Sequence, residues 1–177
     1  MQTSYTAYGQ LAKLTNASTG AAYWTAVNVD ARGNVTGAAY GNGVNLSKSF
    51  DAATGRLTGI LSTSAAAGTI QNLAYQFDTL GNLLSRTDSI QAIQESFQYD
   101  TLNRVTASTG RPTGSGSGGT SVSVAYDALG NITSKSDIGA YTYGPGTACA
   151  SAFAGPHAVS AVAGAKNANY CYDNNAT

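Results

Sequence analysis

Few side chains in this sequence can do chemistry, and their spacing narrows what that chemistry would be. The 177 residues carry eight Asp, one Glu (Glu95), one His (His157) and two Cys (Cys149 and Cys171). Glycoside cleavage needs two carboxyls facing each other across a substrate. A nucleophile–base–acid set would have to recruit His157, which directly follows Pro156. Two Cys and one His without ligand spacing do not make a zinc site. Asp beside Asn and Gly matches neither an EF-hand loop nor the nonapeptide of calcium β-rolls. The acids follow another rule: Asp30, Asp51, Asp78, Asp100, Asp127 and Asp173 all occupy one place in a recurring frame.

That frame is an aromatic, Asp, two variable residues, Gly, a polar or basic residue, an apolar residue and usually Thr. The clear copies are Phe50 to Thr58, Phe77 to Leu84, Tyr99 to Thr106 and Tyr126 to Thr133. Val29 to Thr36 is fainter, and Tyr8 to Thr15 reads as fainter still, with Gly9 for Asp and Ala12 for Gly. Tyr172-Asp173 opens one more. Asp suits the first position of a type I turn, where its carboxylate accepts backbone N–H groups. Gly33, Gly55, Gly81 and Gly130 then supply the left-handed residue of the bulge that closes a hairpin. Asn103 stands in once, and Asn is the residue that best tolerates that conformation after Gly. Turn geometry therefore explains the acids, and no catalytic residue, cofactor or metal is expected.

The elements around the turns are strands. Leu73, Tyr75 and Phe77 alternate onto one face, as do Phe97 and Tyr99, then Val122, Val124 and Tyr126. Phe50, Phe77, Tyr99, Tyr126 and Tyr172 are the expected strand anchors. In the first copies Tyr23, Thr25, Val27 and Val29 alternate with Trp24, Ala26 and Asn28, so one face is the more apolar. From Asp30 to Asp127 the Asp-to-Asp spacing is 21, 27, 22 and 27 residues, room for two strands and two connections. The extra residues of the longer units, Ser62 to Thr69 and Arg111 to Thr120, are expected at the connection far from the Asp turn. The next gap, 46 residues to Asp173, hides a degenerate copy between Tyr141 and Ala163. The fold class is all-β, a repetitive antiparallel β-hairpin ribbon of roughly fourteen to sixteen strands at about 4.8 Å spacing. One array spans 1–177, with degenerate copies at 1–49, regular ones at 50–133, degenerate ones at 134–177 and a flexible loop at 111–120. A ribbon that wide must curl, split or wrap, and it leaves open edges that invite more strands.

Composition excludes several partners. Charged residues make up 10%, under half the usual share, and the formal net charge is zero. Nucleic acid needs a basic face, and an anionic membrane surface needs a basic segment. No apolar run reaches the length of a membrane span. No signal peptide is visible, so export is signalled elsewhere or the chain is a piece of a longer one. Cys149 and Cys171, one repeat apart, fit two buried thiols or a bridge between neighbouring hairpins. Asn16, Asn34, Asn45, Asn131 and Asn175 head Asn-x-Ser/Thr sequons, two of which arise because the frame itself reads Gly-Asn-x-Thr.

The frame at this spacing resembles the YD repeat of RHS proteins, whose relatives include the C components of insecticidal Tc toxin complexes and the teneurins. Gly155-Pro-His-Ala-Val-Ser160 resembles a further segment of bacterial members, placed before a run such as Tyr170-Cys-Tyr-Asp173. The resemblance implies a β-ribbon that spirals into a hollow shell, which in bacterial toxins encloses a C-terminal toxic polypeptide released by an aspartyl-protease-like segment. Neither that segment nor a variable tail lies within these residues, so enclosure is expected of a larger parent protein. The expectation is a non-enzymatic piece of shell wall, extracellular or at the bacterial surface. Its partners would be the rest of a longer repeat protein and the enclosed polypeptide. The alternative is a fibre or adhesin subunit that joins copies of itself through open β-edges. A carbohydrate-binding surface rests only on the eleven Tyr.

Overall fold

A computed structural model describes residues 1–112, 119–145 and 154–172. Among these there is no helix, and fifteen strands follow one another as antiparallel neighbours in chain order. They are β1 (Gln2–Tyr5), β2 (Leu11–Thr15), β3 (Ala22–Val29), β4 (Val35–Tyr40), β5 (Val44–Phe50), β6 (Leu57–Ser64), β7 (Gly68–Phe77) and β8 (Leu83–Asp88). After these come β9 (Ile93–Tyr99), β10 (Val105–Pro112), β11 (Thr120–Tyr126), β12 (Ile132–Lys135), β13 (Gly139–Tyr143), β14 (Val159–Ala163) and β15 (Ala168–Asn169). Two compact units result, the first Met1–Glu95 and the second built on Ser96–Gly110 and the residues after Gly118.

The frame's last two columns have a structural meaning. Each anchor sits directly across from the apolar residue that follows its turn: Phe50 from Leu57, Phe77 from Leu83, Tyr126 from Ile132. Directly opposed aromatic and aliphatic side chains contribute about 0.2–1 kcal/mol per pair. At every one of these pairs the register slips by one residue, so Thr58, Leu84 and Thr133 are bulged out of the ladder. The usual Thr of the frame is thus a bulge residue, and it adds a local bend to each hairpin.

Registers settle three details. The first copy is shifted from its expected place: Tyr5 faces Leu11, and the turn is Thr6 to Gln10 with Gly9 in the glycine position. Thr6 replaces Asp because its hydroxyl can accept the same amides, from Tyr8 and Gln10 at 3.3 and 3.2 Å. In β3 Trp24, Thr25 and Ala26 are half-buried, whereas Tyr23, Val27 and Val29 are exposed. A register slip at Val27 breaks the alternation, which returns Val29 to the Trp24 side opposite Val35. The extra residues at Ser62 to Thr69 do not make a long connection. They lengthen β6 and β7, with Thr63 facing Thr69 and Ser64 facing Gly68.

In the second unit the hidden copy runs from Tyr143 to Ser160. Tyr143 faces Val159, Ser160 is the bulge residue, and Gly144 N–H donates to Ala158 C=O where other copies close the Asp turn. Its insertion therefore sits at the motif turn, contrary to the expectation that this turn stays short. Of the loop expected at 111–120, Arg111 and Pro112 end β10 and Thr120 begins β11, while 113–118 lie outside the described residues.

One face of the first unit carries most of the large apolar groups, while Leu61 lies on the other between Ser47 and Asn72. Trp24, Ala38 and Leu46 lead across the strands to Phe50, Ile60, Leu73, Tyr75 and Phe77. The other face holds Asn45, Ser47, Ser49, Thr63 and Asn72. With a single layer, neither face is covered. Ala38 and Val162 are the buried hydrophobic residues among those described. The chain exposes 11079 Å², against about 8000 Å² for a compact monomer of its mass.

Candidate functional site: turn cages and an aromatic face

Each described motif turn that begins with Asp is a small cage around its carboxylate. In the first position the Asp carbonyl accepts from the glycine-position N–H, and the Asp N–H donates to the residue past it, as in Asp30 with Gly33 and Asn34. The carboxylate then closes the inside. Asp127 Oδ1 accepts from Leu129 and Asn131 N–H at 2.8 and 2.9 Å, and its Oδ2 accepts the Asn131 amide at 2.9 Å. Asp30 and Asp78 are held the same way by Asn34 and Asn82. Asp100 has Arg104 in that role, with Nε at 2.7 Å. In the longer turn, Asp51 is held by the Thr54 N–H and hydroxyl, both at 2.7 Å. The glycine position, fourth in the turn and fifth in the longer one at Asp51, is left-handed throughout: φ is +86° at Gly33, +73° at Gly55, +102° at Gly81, +60° at Asn103 and +91° at Gly130.

These cages hold the carboxyls below the ordinary Asp range. The chief cause is the Asn34 amide for Asp30, Thr54 hydroxyl for Asp51, Asn82 amide for Asp78 and Arg104 N–H for Asp100. For Asp127 burial pushes upward, but the Asn131 side chain and the N–H groups of Asn131 and Leu129 outweigh it. A carboxyl fixed in its ionised form and saturated with donors is a poor general acid. The chemistry this arrangement performs is to hold backbone.

Adjacent turns are also tied together, always from one turn to the next in the chain. Arg32 Nη2 donates to the carbonyls of Ala52 and Ala53 at 2.7 and 3.1 Å. Arg56 Nη1 donates to the Asp78 carbonyl at 2.8 Å. Arg104 Nη1 reaches the Asp127 carbonyl at 3.2 Å, with its guanidinium 4.6 Å from the centre of the Tyr126 ring. The Asn131 amide donates to Pro156 C=O as well as to Asp127. Its nitrogen is thereby fixed as the donor end, so Oδ1 faces His157 and accepts from Nδ1–H at 2.6 Å. His157 is a clasp on a turn, and Asn131, head of a sequon, is buried with both ends of its amide engaged.

A second tie comes from the anchors. The hydroxyl of Tyr126 donates to Val105 C=O, that of Tyr143 to Ile132 C=O and that of Tyr172 to Val159 C=O, at 2.8, 2.9 and 2.9 Å. Each acceptor is the first strand residue after the preceding turn. Burial raises the Tyr143 phenol above its ordinary value, which keeps it a donor. Phe50 and Phe77 lack this bond and rely on packing. Tyr99 ends β9, and Tyr172 lies beyond the end of β15 rather than in a strand. Glu95 pairs with Arg86 across the aromatic face. Cys171 is disulfide-bonded, and Cys149 and Asp173 lie outside the described residues. Three of the residues that tie turns, Arg56, Arg104 and Asn131, stand in the frame's polar or basic column, but the column does not say what they reach; the bulges follow its Thr column. The tyrosine bonds have no such signal, since Phe and Tyr fill one place.

Comparison with solved structures places this architecture. In a TcdB2–TccC3–Cdc42 crystal structure 90% of the chain is matched, with a TM-score of 0.68 and 20% identity. The Photorhabdus luminescens Tc holotoxin pore carrying a TccC3 mutation matches over 76%, with a TM-score of 0.63 and 22% identity. TcdB2–TccC3 without its hypervariable C-terminal region matches over 81%, at 0.64 and 20%. The chain has the fold of a stretch of these Tc toxin proteins. It spans 8–9% of the length of the Tc toxin chains it matches. No protein-family model matches it, and no curated protein does.

Proposed function

We propose that the chain is a structural, non-enzymatic stretch of wall from an RHS-type shell, belonging to a larger secreted or surface bacterial protein whose shell encloses a toxic polypeptide. The observation that carries this reading is the single-layer sheet with unlike faces. A wall needs a continuous backbone surface, sides of different chemistry, and stability drawn from neighbours instead of a central core. Turn cages, turn-to-turn ties and tyrosine bonds supply stability of that kind. The Tc toxin fold adds support, because the chains with this fold in the solved complexes are roughly ten times longer, and one complex is described as lacking a hypervariable C-terminal region. The test is protease protection in the parent gene product. The purified parent protein should shield a downstream polypeptide from digestion until the repeats are unfolded. A parent whose reading frame stops with these repeats would overturn the proposal.

A second reading, a self-joining fibre or adhesin subunit, is favoured by β1, whose four residues are all exposed along an unpaired edge. Electron microscopy of the purified chain separates the two: regular filaments support the fibre and count against the wall.

A further inference from the structure

Hollows on the aromatic face of the first unit differ in what their polar groups are free to do. The one between the Asp51 and Asp78 turns, about 610 Å³, is rimmed by groups already spent: both carboxylates are caged, and Arg56 holds the Asp78 carbonyl. Another, a shallow recess of about 550 Å³, crosses β4 to β7 nearer the opposite hairpin ends. Its walls are apolar, with Tyr40 and Val44 at one end and Leu46 and Ile60 between. Ile70, the extra residue at a register slip in β7, also lines it. Ser62, 8% exposed, donates its hydroxyl to Gln71 Oε1 at 3.2 Å, so the polar floor is already bonded.

The charge in this lining is Lys48. It is half-buried and directly across from Ile60, with Leu46 and Phe50 two residues away on its own strand. Among the described residues no acid meets its ammonium. Nor is a described acid left over: five aspartates are caged, Asp88 accepts the Ile90 and Gln91 N–H groups, Glu95 pairs with Arg86 and Asp137 with Lys135. Lys13, half-buried and likewise without an acid, lies between Ser4 and Thr25. A lysine stem can cover apolar surface with its head in water. A head left unmatched beside an apolar trough is also one half of a site for an anion with an apolar body. We infer that the recess binds a small amphipathic carboxylate, its head on Lys48 and its acyl tail along Leu46 and Val44 toward Tyr40. From Lys48 to Val44 is four residues of strand, about 13 Å, which suits a chain of medium length. The head gains a charge-assisted bond and the tail leaves water. A second copy of this chain is the poorer occupant, because its described acids are engaged.

Isothermal titration of the full chain with decanoate, below its micelle concentration, is expected to show saturable binding. Lys48→Met should weaken it by about tenfold or more, with unchanged circular dichroism and Tm. Lys48→Arg should keep it, and Lys13→Met should leave it unaltered. Decylammonium, whose head meets Lys48 with like charge, should bind about tenfold or more weaker than decanoate. Absence of saturable binding, equal affinity for the two heads, indifference to Lys48→Met, or an equal loss in Lys13→Met would each overturn the inference. So would Lys48-dependent co-sedimentation with phosphatidylglycerol vesicles by a chain that ignores free decanoate, which would assign the cation to a membrane surface. The wall reading stands apart from all of these results, because protease protection in the parent protein tests it separately.

Discussion

Alanine at Gly130 and at Gly81 should cost different amounts, and the difference isolates the tie between turns. At Gly130 the φ angle is +91° and no heavy atom lies within 4 Å of where a Cβ would sit. Its replacement therefore carries only the left-handed penalty, about 1–2 kcal/mol. At Gly81 φ is +102°, and a Cβ would stand 2.8 Å from Arg56 Nη2 and 3.2 Å from its Cζ. The guanidinium has to move, and with it goes the 2.8 Å bond from Nη1 to the Asp78 carbonyl, worth about 1 kcal/mol in this half-exposed setting. Gly81→Ala should thus cost about 2–3 kcal/mol by the sum of those terms. In an Arg56→Ala background the same substitution should fall to the Gly130 value, a coupling of about 1 kcal/mol. Urea unfolding followed by far-UV circular dichroism, and by Trp24, the only tryptophan, reads both. Equal losses at Gly81 in the two backgrounds would refute the tie, and a silent Gly130→Ala would refute the left-handed requirement.

The remaining predictions concern the cages and the hydroxyls. Because the folded pKa values of Asp30, Asp51, Asp78, Asp100 and Asp127 lie below their ordinary value of 3.8, the stability they lend is complete above about pH 4 and drains away as pH falls through the folded values. Tm measured from pH 6 to pH 2 should drop in that acid limb, and a flat profile would contradict the cages. Tyr143→Phe leaves the Ile132 carbonyl without its donor and should cost about 1 kcal/mol in chemical denaturation. An unchanged midpoint would show the bond to be idle. Thr6→Asp should shorten the 3.2–3.3 Å contacts of the first turn and raise its stability by up to about 1 kcal/mol. Gly9→Asp should lower it, since φ there is +76°, and the reverse order would restore the register that starts at Tyr8.

What was legible in the sequence was what repeats with one chemistry. Asp followed three or four residues later by Gly, or once by Asn, is a turn in each clear copy, so the hairpins, their order and the ribbon class followed from Asp51, Asp78, Asp100 and Asp127. The misreadings occurred where chemistry was replaced by an equivalent or where one residue was inserted. Thr6 does an aspartate's work with a hydroxyl, and a frame keyed to carboxylates slid three residues to Tyr8. The slip at Val27 is one residue long, enough to break the alternation of β3, leave Val27 in solvent and put Val29 on the Trp24 side. In the copy that starts at Tyr143, Gly144 closes on Ala158 where other copies have Asp, and no Asp marks it. Side-chain ties between turns depend on distances across neighbouring hairpins, and a linear frame carries no such distance.

Those ties also account for the low charge of the chain. An ordinary domain keeps its charges on the surface and its stability in a core, so the two vary independently. Here there is almost no core among the described residues, and eight of the eighteen charged groups serve the backbone scaffold: five aspartates fill cages, and Arg32, Arg56 and Arg104 each cap the following turn. Adding charge elsewhere would place it on one of two sheet faces or at a hairpin tip. One face is lined by Trp24, Leu46, Phe50, Tyr75 and Phe77, and the tips carry Tyr8, Leu80, Leu102 and Leu129. A sheet meant to stand alone in water would gain from charge at those tips, which would also discourage association. Their apolar character fits a surface that another stretch of protein covers, and the 11079 Å² left exposed is the area from which that cover would be drawn.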